Sequence, residues 1–379
     1  PLHDALGVSE IALGRIDTVY LTAYSAGQFL SGFIGDRLGA RRLVGYGMLL
    51  SAAACVAFGS ASGALAFGVA FAVNGLAQAT GWPGTTRGMA DFTTPATRGG
   101  VMAIFSTCYQ VGGFAAVWLA GFLATAYGWR FAFYGPAVII AAVALAVLVL
   151  FPAAPAPARS VATDGTPLDD AGEQRERRAA RRAVVRNPTI WLFAASYFFV
   201  KIIRYILLFW LPYYLSTTLG YSTLEAAGIS TAFDAGGFAG VIGIGLLSDR
   251  TKRFGRAGLA CLWLFGLAFA CFAYLQWGAT SKLANIALLA LIGAMLFGPD
   301  SILCGAAAMD AGGPRAASMA TGFVNGIGSI GPILQGLLVP PLAKHYGWQA
   351  LFPALVGLAL CAALVLVPTL RRSPAAPTA

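Results

Sequence analysis

Apolar residues in this chain come in long blocks, with little of the short polar–apolar alternation that marks a soluble helix or strand. A membrane-crossing helix needs roughly 20 predominantly apolar residues. Eleven blocks meet that length, at about 12–34, 43–60, 64–86, 99–125, 131–151, 189–215, 224–247, 257–277, 283–307, 316–340 and 348–369. The polar residues between them sit in short loops and in one longer stretch, 153–187. The pattern predicts an all-α integral membrane protein with eleven visible spans. It divides into an N-terminal bundle (1–152), a linker (153–187) and a C-terminal bundle (188–379).

The loop charges orient the spans. Arg37, Arg41, Arg42, Arg87, Arg98, Arg250, Lys252, Arg253, Arg256 and Arg315 fall on one side, together with the linker and the C-terminal tail. The other side holds only Arg15, Arg130, Lys282 and Lys344. Cytoplasmic loops carry the excess of Lys and Arg, so the linker and C-terminus are expected in the cytoplasm of a cell whose inner (plasma) membrane holds the protein. The linker begins with Pro and Ala, continues through acids, and ends in the basic run from Arg175 to Arg186. Mixed charge with few apolar residues cannot bury a core, which makes it a tether or surface helix whose basic end lies along anionic headgroups.

The chain also repeats itself. Gly32-Phe33-Ile34-Gly35-Asp36-Arg37 matches Gly245-Leu246-Leu247-Ser248-Asp249-Arg250, a little over half the chain further on. Tyr127-Gly128-Trp129 matches Tyr346-Gly347-Trp348, and Pro83 matches Pro299, at almost the same separation. Three anchors at nearly one offset indicate two halves of one ancestral bundle. In the second half a full span, 189–215, precedes the span bearing the Asp-Arg motif, and its counterpart would fall before residue 1. The expectation is a twelve-helix protein whose first helix is absent from this sequence. The other reading is an eleven-helix protein with its N-terminus outside.

Composition closes off other classes. Of 379 residues 58% are hydrophobic and only 11% charged, against about 25% charged in a soluble globule. The mean hydropathy is +0.74. The net charge of +10 lies in loops, with no basic face along a domain, so nucleic acid is not an expected partner. Cys55, Cys108, Cys261, Cys271, Cys304 and Cys361 lie in apolar stretches without metal-ligand spacing and are expected to be small buried hydrophobes. His3 and His345 form no cluster. No span carries a nucleophile–base pair or a metal set, so neither an enzyme nor a cofactor is expected.

Two cations, Lys201 and Arg204, lie inside a span. Three residues apart, they share a helix face. Charges at membrane depth point into a cavity or at a partner. An arginine fork matches phosphate oxygens, and a lysine adds a point charge. The bland alternative is snorkelling, or pairing with Asp234 or Asp300, acids that also lie within spans.

The Asp36-Arg37 and Asp249-Arg250 loops resemble the signature loop of the major facilitator superfamily. The acids are placed to cap or pair across helix ends while the arginines hold the face shut, so both loops, with Asp234, are gating or coupling candidates. Plain topology-setting charge is the other reading.

A narrower resemblance is to the organophosphate:phosphate antiporters. It is carried by Asn74-Gly75-Leu76-Ala77-Gln78-Ala79-Thr80-Gly81-Trp82-Pro83, Arg98-Gly99-Gly100, Val111-Gly112-Gly113, Arg204-Tyr205, Trp210-Leu211-Pro212, the segment Thr231 to Gly237, Phe297-Gly298-Pro299 and Gly328 to Pro332. The resemblance implies a facilitator fold and exchange of a phosphorylated metabolite (a sugar phosphate or glycerol phosphate) for inorganic phosphate by a monomeric carrier. It places Arg204 where the glycerol-phosphate branch has its phosphate-binding arginine, and Lys201 where the sugar-phosphate branch has a lysine. Tyr109 replaces a histidine, and Gln28 a lysine. Tyr24 and Asn325 join these as pocket candidates; Tyr20, Gln78, Gln110 and Trp210 are further polar-handled residues within spans. A proton-coupled carrier of another small organic anion is the alternative, with Asp234 and Asp300 carrying the proton. A drug antiporter lacks the expected Gly-Pro helix end here, and the short tail leaves no room for the output domain of a membrane sensor.

Overall fold

The computed structural model describes residues 10–152, 170–250 and 255–370. Expectations placed on His3, Lys252, Arg253, the linker through 169 and the tail from Arg371 lie outside these residues. Among the described residues the structure is helical throughout, without strands. Nine continuous apolar segments among them are long enough to cross a membrane. The segments Arg15–Ser60 and Lys282–Tyr346 each hold two of the expected spans.

Both long segments break at glycine. Helix α1 (Glu10–Ser60) turns at Gly39, where φ is 75°. Helices α2 (Ala64–Gln78), α3 (Gly81–Phe92) and α6 (Phe131–Leu150) pack along α1. Further on, α12 (Ala306–Gly328) breaks at Gly313, where φ is 65°, with Pro314 next. A positive φ excludes most side chains, and a following proline cannot extend the helix, so the chain restarts there with unpaired amides.

Other helix ends follow local chemistry. The basic end of the linker forms α7 (Asp170–Arg186). Helix α8 (Pro188–Leu219) starts with proline at its first turn, and Asn187 Oδ1 accepts from the Thr189 amide at 2.9 Å. Helix α9 (Thr223–Arg250) opens with a capping box in which Ser222 and Glu225 bond reciprocally through side chain and backbone. Helix α11 (Lys282–Cys304) is capped by Ser281, whose Oγ accepts from the Ala284 amide at 3.1 Å.

Helices divide into two compact units that do not follow sequence order. The first unit holds residues 1–93, 111–190 and 309–326. The second holds 94–110, 191–308 and 327–379. In the first, Phe58 packs against Phe67, Phe71 and Phe133. In the second, α9 and α11 cross closely: a Cβ at Gly236 or Gly293 would strike the backbone of the opposing helix. Small residues let membrane helices approach this way. That crossing, with α10 (Gly255–Trp277) and α14 (Leu351–Leu370) packed beside it, brings α11 against α8.

Large apolar side chains such as Leu65, Val149, Leu224 and Leu283 face outward, as lipid requires and water does not tolerate. The cysteines split. Cys55, Cys261, Cys271 and Cys304 are buried, as expected, whereas Cys108 and Cys361 are exposed.

Candidate anion site and capping nodes

Lys201 and Arg204 lie one turn apart on α8, inside the second unit. Lys201 is 5% exposed; its Nζ donates to Ser329 Oγ at 2.8 Å and sits 5.4 Å from the centroid of Tyr197. Ser329 stands at the start of α13 (Ile330–Tyr346). Arg204 Nη1 donates to Asp300 Oδ2 on α11 at 2.9 Å. The same guanidinium lies 4.8 Å from the ring centroids of both Tyr109 and Phe297. Tyr109 belongs to α5 (Cys108–Tyr127). Two aromatic faces fix the plane of the fork, and Asp300 fixes its direction.

Asp300 is 3% exposed and its Oδ1 has no hydrogen-bond partner. Its neighbour Ser301 shares a hydrogen bond of 2.8 Å with Ser106 of α4 (Arg98–Ser106). Asp234 is half-buried on α9, close enough for Arg204 to act on it electrostatically. The second unit thus gathers Lys201, Arg204, Tyr109, Asp300 and Asp234 around one helix face.

The remaining pocket candidates lie in the first unit. Gln28, on α1, is fully buried, and neither its Oε1 nor its Nε2 has a partner. A buried unpaired amide costs about 1–3 kcal/mol, so such a side chain is a strong candidate to meet a ligand. Asn325 is 1% exposed. Tyr24 is half-buried and stacks on Tyr20, whose hydroxyl donates to Gln78 at 2.9 Å. Trp210 Nε1 donates to Gln335 at 2.7 Å in the second unit.

Each Asp-Arg loop builds a capping node within one unit. Asp36, 4% exposed, accepts from the amides of Ser318 at 3.1 Å and Met319 at 3.0 Å, the first turn of α12 after its break. Arg87 of α3 adds a contact at 3.4 Å and donates to the Pro314 carbonyl at 2.6 Å. Asp249 accepts from Gly99 at 2.9 Å and Gly100 at 2.6 Å, the first turn of α4. Arg256 adds a contact at 2.9 Å and donates to the Pro95 carbonyl. A Cβ at Gly99 would lie 2.5 Å from Asp249 Oδ1, so only glycine lets the carboxylate come this close. A carboxylate on a helix N-terminus satisfies orphan amides and the positive end of the helix dipole together. Arg37 is exposed, 5.0 Å from the Phe33 centroid, and Arg250 is exposed. The cations on the acids are therefore Arg87 and Arg256.

A family model described as Major Facilitator Superfamily matches residues 1–335. The chain belongs to this superfamily. Among solved structures, the proton:xylose symporter XylE superposes with a TM-score of 0.73 over 96% of this chain and 88% of that one, at 16% identity. The human organic anion transporter MFSD10 does so with a TM-score of 0.68 at 18% identity, covering 96% and 87%. At such identities the likeness is one of fold.

Curated relatives are nearer in sequence. Sugar phosphate exchanger 3 of Mus musculus is 30% identical over 95% of this chain and 80% of its own length. Putative glycerol-3-phosphate transporter 1 of Arabidopsis thaliana is 30% identical over 94% and 74%. A probable hexose phosphate transport protein of Chlamydia pneumoniae is 27% identical over 96% and 84%. These names agree with the resemblance to organophosphate:phosphate antiporters. Facilitator superfamily membership makes the chain a multi-pass membrane transporter; its named relatives are transporters and exchangers, not enzymes.

In this facilitator, sequence reading named Asp36 and Asp249 but not Arg87 or Arg256 as their cations, and named Asp300 only as a possible partner of Lys201 or Arg204. Ser329 and Tyr197 were not singled out. Some signals were present: Arg256 follows Asp249 by seven residues, and Gly99-Gly100 marks a place where backbone must be approached. Arg87, which reaches Asp36 from a different helix, left no local signal.

Proposed function

We propose that this chain exchanges an organophosphate, a sugar phosphate or glycerol phosphate, for inorganic phosphate by alternating access, with Arg204 and Lys201 holding the phosphate group. The observation that carries the reading is the pair of cations one turn apart in the interior of the second unit. The arginine fork is pre-aimed by two aromatic rings and one carboxylate, and the lysine adds the second positive charge that a dianion needs. The names of the relatives support a phosphorylated metabolite as cargo.

The two capping nodes supply the switching element in this reading. Each ties a helix N-terminus to a carboxylate and an arginine, an arrangement that is either closed or broken. Functionally the chain divides as its repeat does, into bundles at 1–152 and 188–379 joined by a linker at 153–187. In this reading the linker and the C-terminus lie on the cytoplasmic side of the inner (plasma) membrane, which the excess of loop Lys and Arg supports, and the carrier works as a monomer.

Phosphate counterflow tests the reading. Proteoliposomes loaded with phosphate are given labelled phosphate outside. Uptake only when phosphate is inside, blocked by glycerol phosphate or a sugar phosphate, establishes the exchanger and ranks its cargo. The second reading, a proton-coupled carrier of another small organic anion, is kept open by the buried Arg204–Asp300 pair. Absence of phosphate exchange together with proton-driven uptake of another anion would select it.

A further inference from the structure

Arg204 already holds an anion. Asp300 Oδ2 lies 2.9 Å from Arg204 Nη1, with side-chain exposures of 15% and 5% for the arginine and the aspartate. A phosphate group binding the same guanidinium must compete with a carboxylate that is fixed in place and buried.

The charges around that pair set the terms. Lys201, Arg204 and Asp300 sum to one positive charge. A phosphate ester dianion added to them leaves one negative charge among buried groups. Asp300 fares worse. Its Oδ1 has no hydrogen-bond partner even with Arg204 in place. Once displaced, Oδ2 loses its donor as well, and a buried carboxylate without donors is among the most expensive states a protein holds. One proton removes both difficulties. It brings Lys201, Arg204, Asp300 and the dianion to zero net charge, with the half-buried Asp234 outside that sum, and turns Asp300 from an acceptor into a donor able to bond a phosphate oxygen.

We propose that Asp300 is the resident counter-ion of Arg204 and takes up one proton when a phosphate group displaces it, so that the dianion and a proton are bound together and released together. The proton comes from water on the open side, as hydronium, and returns there on release; no bond other than O–H is made or broken. The inference rests on phosphate binding at Arg204 and names its coupling.

The groups around Asp300 can be enumerated. Helix α8 presents Tyr197, Lys201, Arg204 and Tyr205, each interacting electrostatically with it. Its own helix presents Cys304. From α5 come Tyr109 and Cys108, which Arg204 touches electrostatically. Asp234 stands on α9 beside Arg204. From α4 comes the Ser106 hydroxyl, and α10 lays the Trp263 indole against α11. Asp234 is the one other carboxylate among these, and it serves as the control.

Two measurements test this. Purified wild-type protein in weakly buffered detergent, mixed with inorganic phosphate or glycerol phosphate, should take up about one proton per site beyond the buffering of the phosphate itself. In counterflow, wild-type KM should rise with pH by up to about tenfold per unit beyond the shift caused by the titration of the phosphate. Asp300→Asn should abolish that rise, because an asparagine is neutral at every pH, and Asp234→Asn should retain it. Phosphate binding without proton uptake, or a pH slope unchanged in Asp300→Asn, overturns the inference while leaving the exchanger intact. A slope lost only in Asp234→Asn overturns it too, by moving the proton to that residue. If wild-type protein neither binds nor exchanges phosphate at any pH, the functional reading fails and this inference with it. Should Asp300→Asn not insert, proton uptake by the wild type decides alone.

Discussion

In the first unit Asp36 closes on the amides of Ser318 and Met319; in the second Asp249 closes on those of Gly99 and Gly100. Ser318 and Gly99 stand at matching places in the repeat, as the two acids do. A second device repeats as well. Thr86 and Thr321 share a buried hydroxyl pair at 2.9 Å in the first unit, and Ser106 and Ser301 share one at 2.8 Å in the second. Under the repeat Thr86 corresponds to Ser301 and Ser106 to Thr321, so each hydroxyl has its counterpart in the other pair. The interiors do not repeat. The second unit buries Lys201, Arg204 and Asp300, whereas among the pocket candidates the first holds the neutral side chains Gln28, Asn325 and Tyr24. Duplication thus preserved the frame and the caps, and the chemistry diverged inside them.

The comparison can be broken first at its charged end. Arg204→Ala removes the fork and strands Asp300, and exchange should fall about 100-fold with protein still inserted, measured by counterflow and by membrane quantitation. Lys201→Gln keeps a polar hydrogen-bonding side chain, one atom shorter, and loses the point charge; KM for phosphate should rise about tenfold with kcat less affected.

The shared devices come next. Asp36→Asn and Asp249→Asn each weaken a cap that is charge-assisted on both sides. Both should slow exchange by about three- to tenfold in kcat with KM little changed, since neither residue touches the proposed cargo. A large difference between the two would show that the nodes have diverged as the interiors have. They already differ in cation source: Arg87 stands on α3, 51 residues along the chain from Asp36, and Arg256 on α10, the helix that follows the acid's own.

The smallest effect sharpens the neutral end. Gln28→Leu removes an unpaired amide, so phosphate–phosphate exchange should change less than about twofold. Exchange of a sugar phosphate, whose hydroxyls need a donor and an acceptor, should fall several-fold.

Much of this was legible in the chain. Apolar block length drew the spans, and the repeat located Asp36 and Asp249. Helical spacing put Lys201 and Arg204 on one face. What could not be read was pairing over distance. Residues 94–110 join the second unit and 309–326 the first, an exchange set by packing between helices far apart in sequence. Arg37 and Arg250 adjoin the acids in sequence but lie exposed, because adjacent helical residues point about 100° apart. Asp300 was visible as an acid in a span; only the crossing of α8 with α11 shows that it occupies Arg204.

The central claim is that the planar fork of Arg204, beyond its charge, holds the phosphate group. Counterflow of labelled phosphate through Arg204→Lys tests it directly, because the substitution keeps the charge and discards the fork. Loss of most exchange from a normally inserted variant is the predicted result. Wild-type exchange in Arg204→Lys would remove the guanidinium from the site and contradict the account.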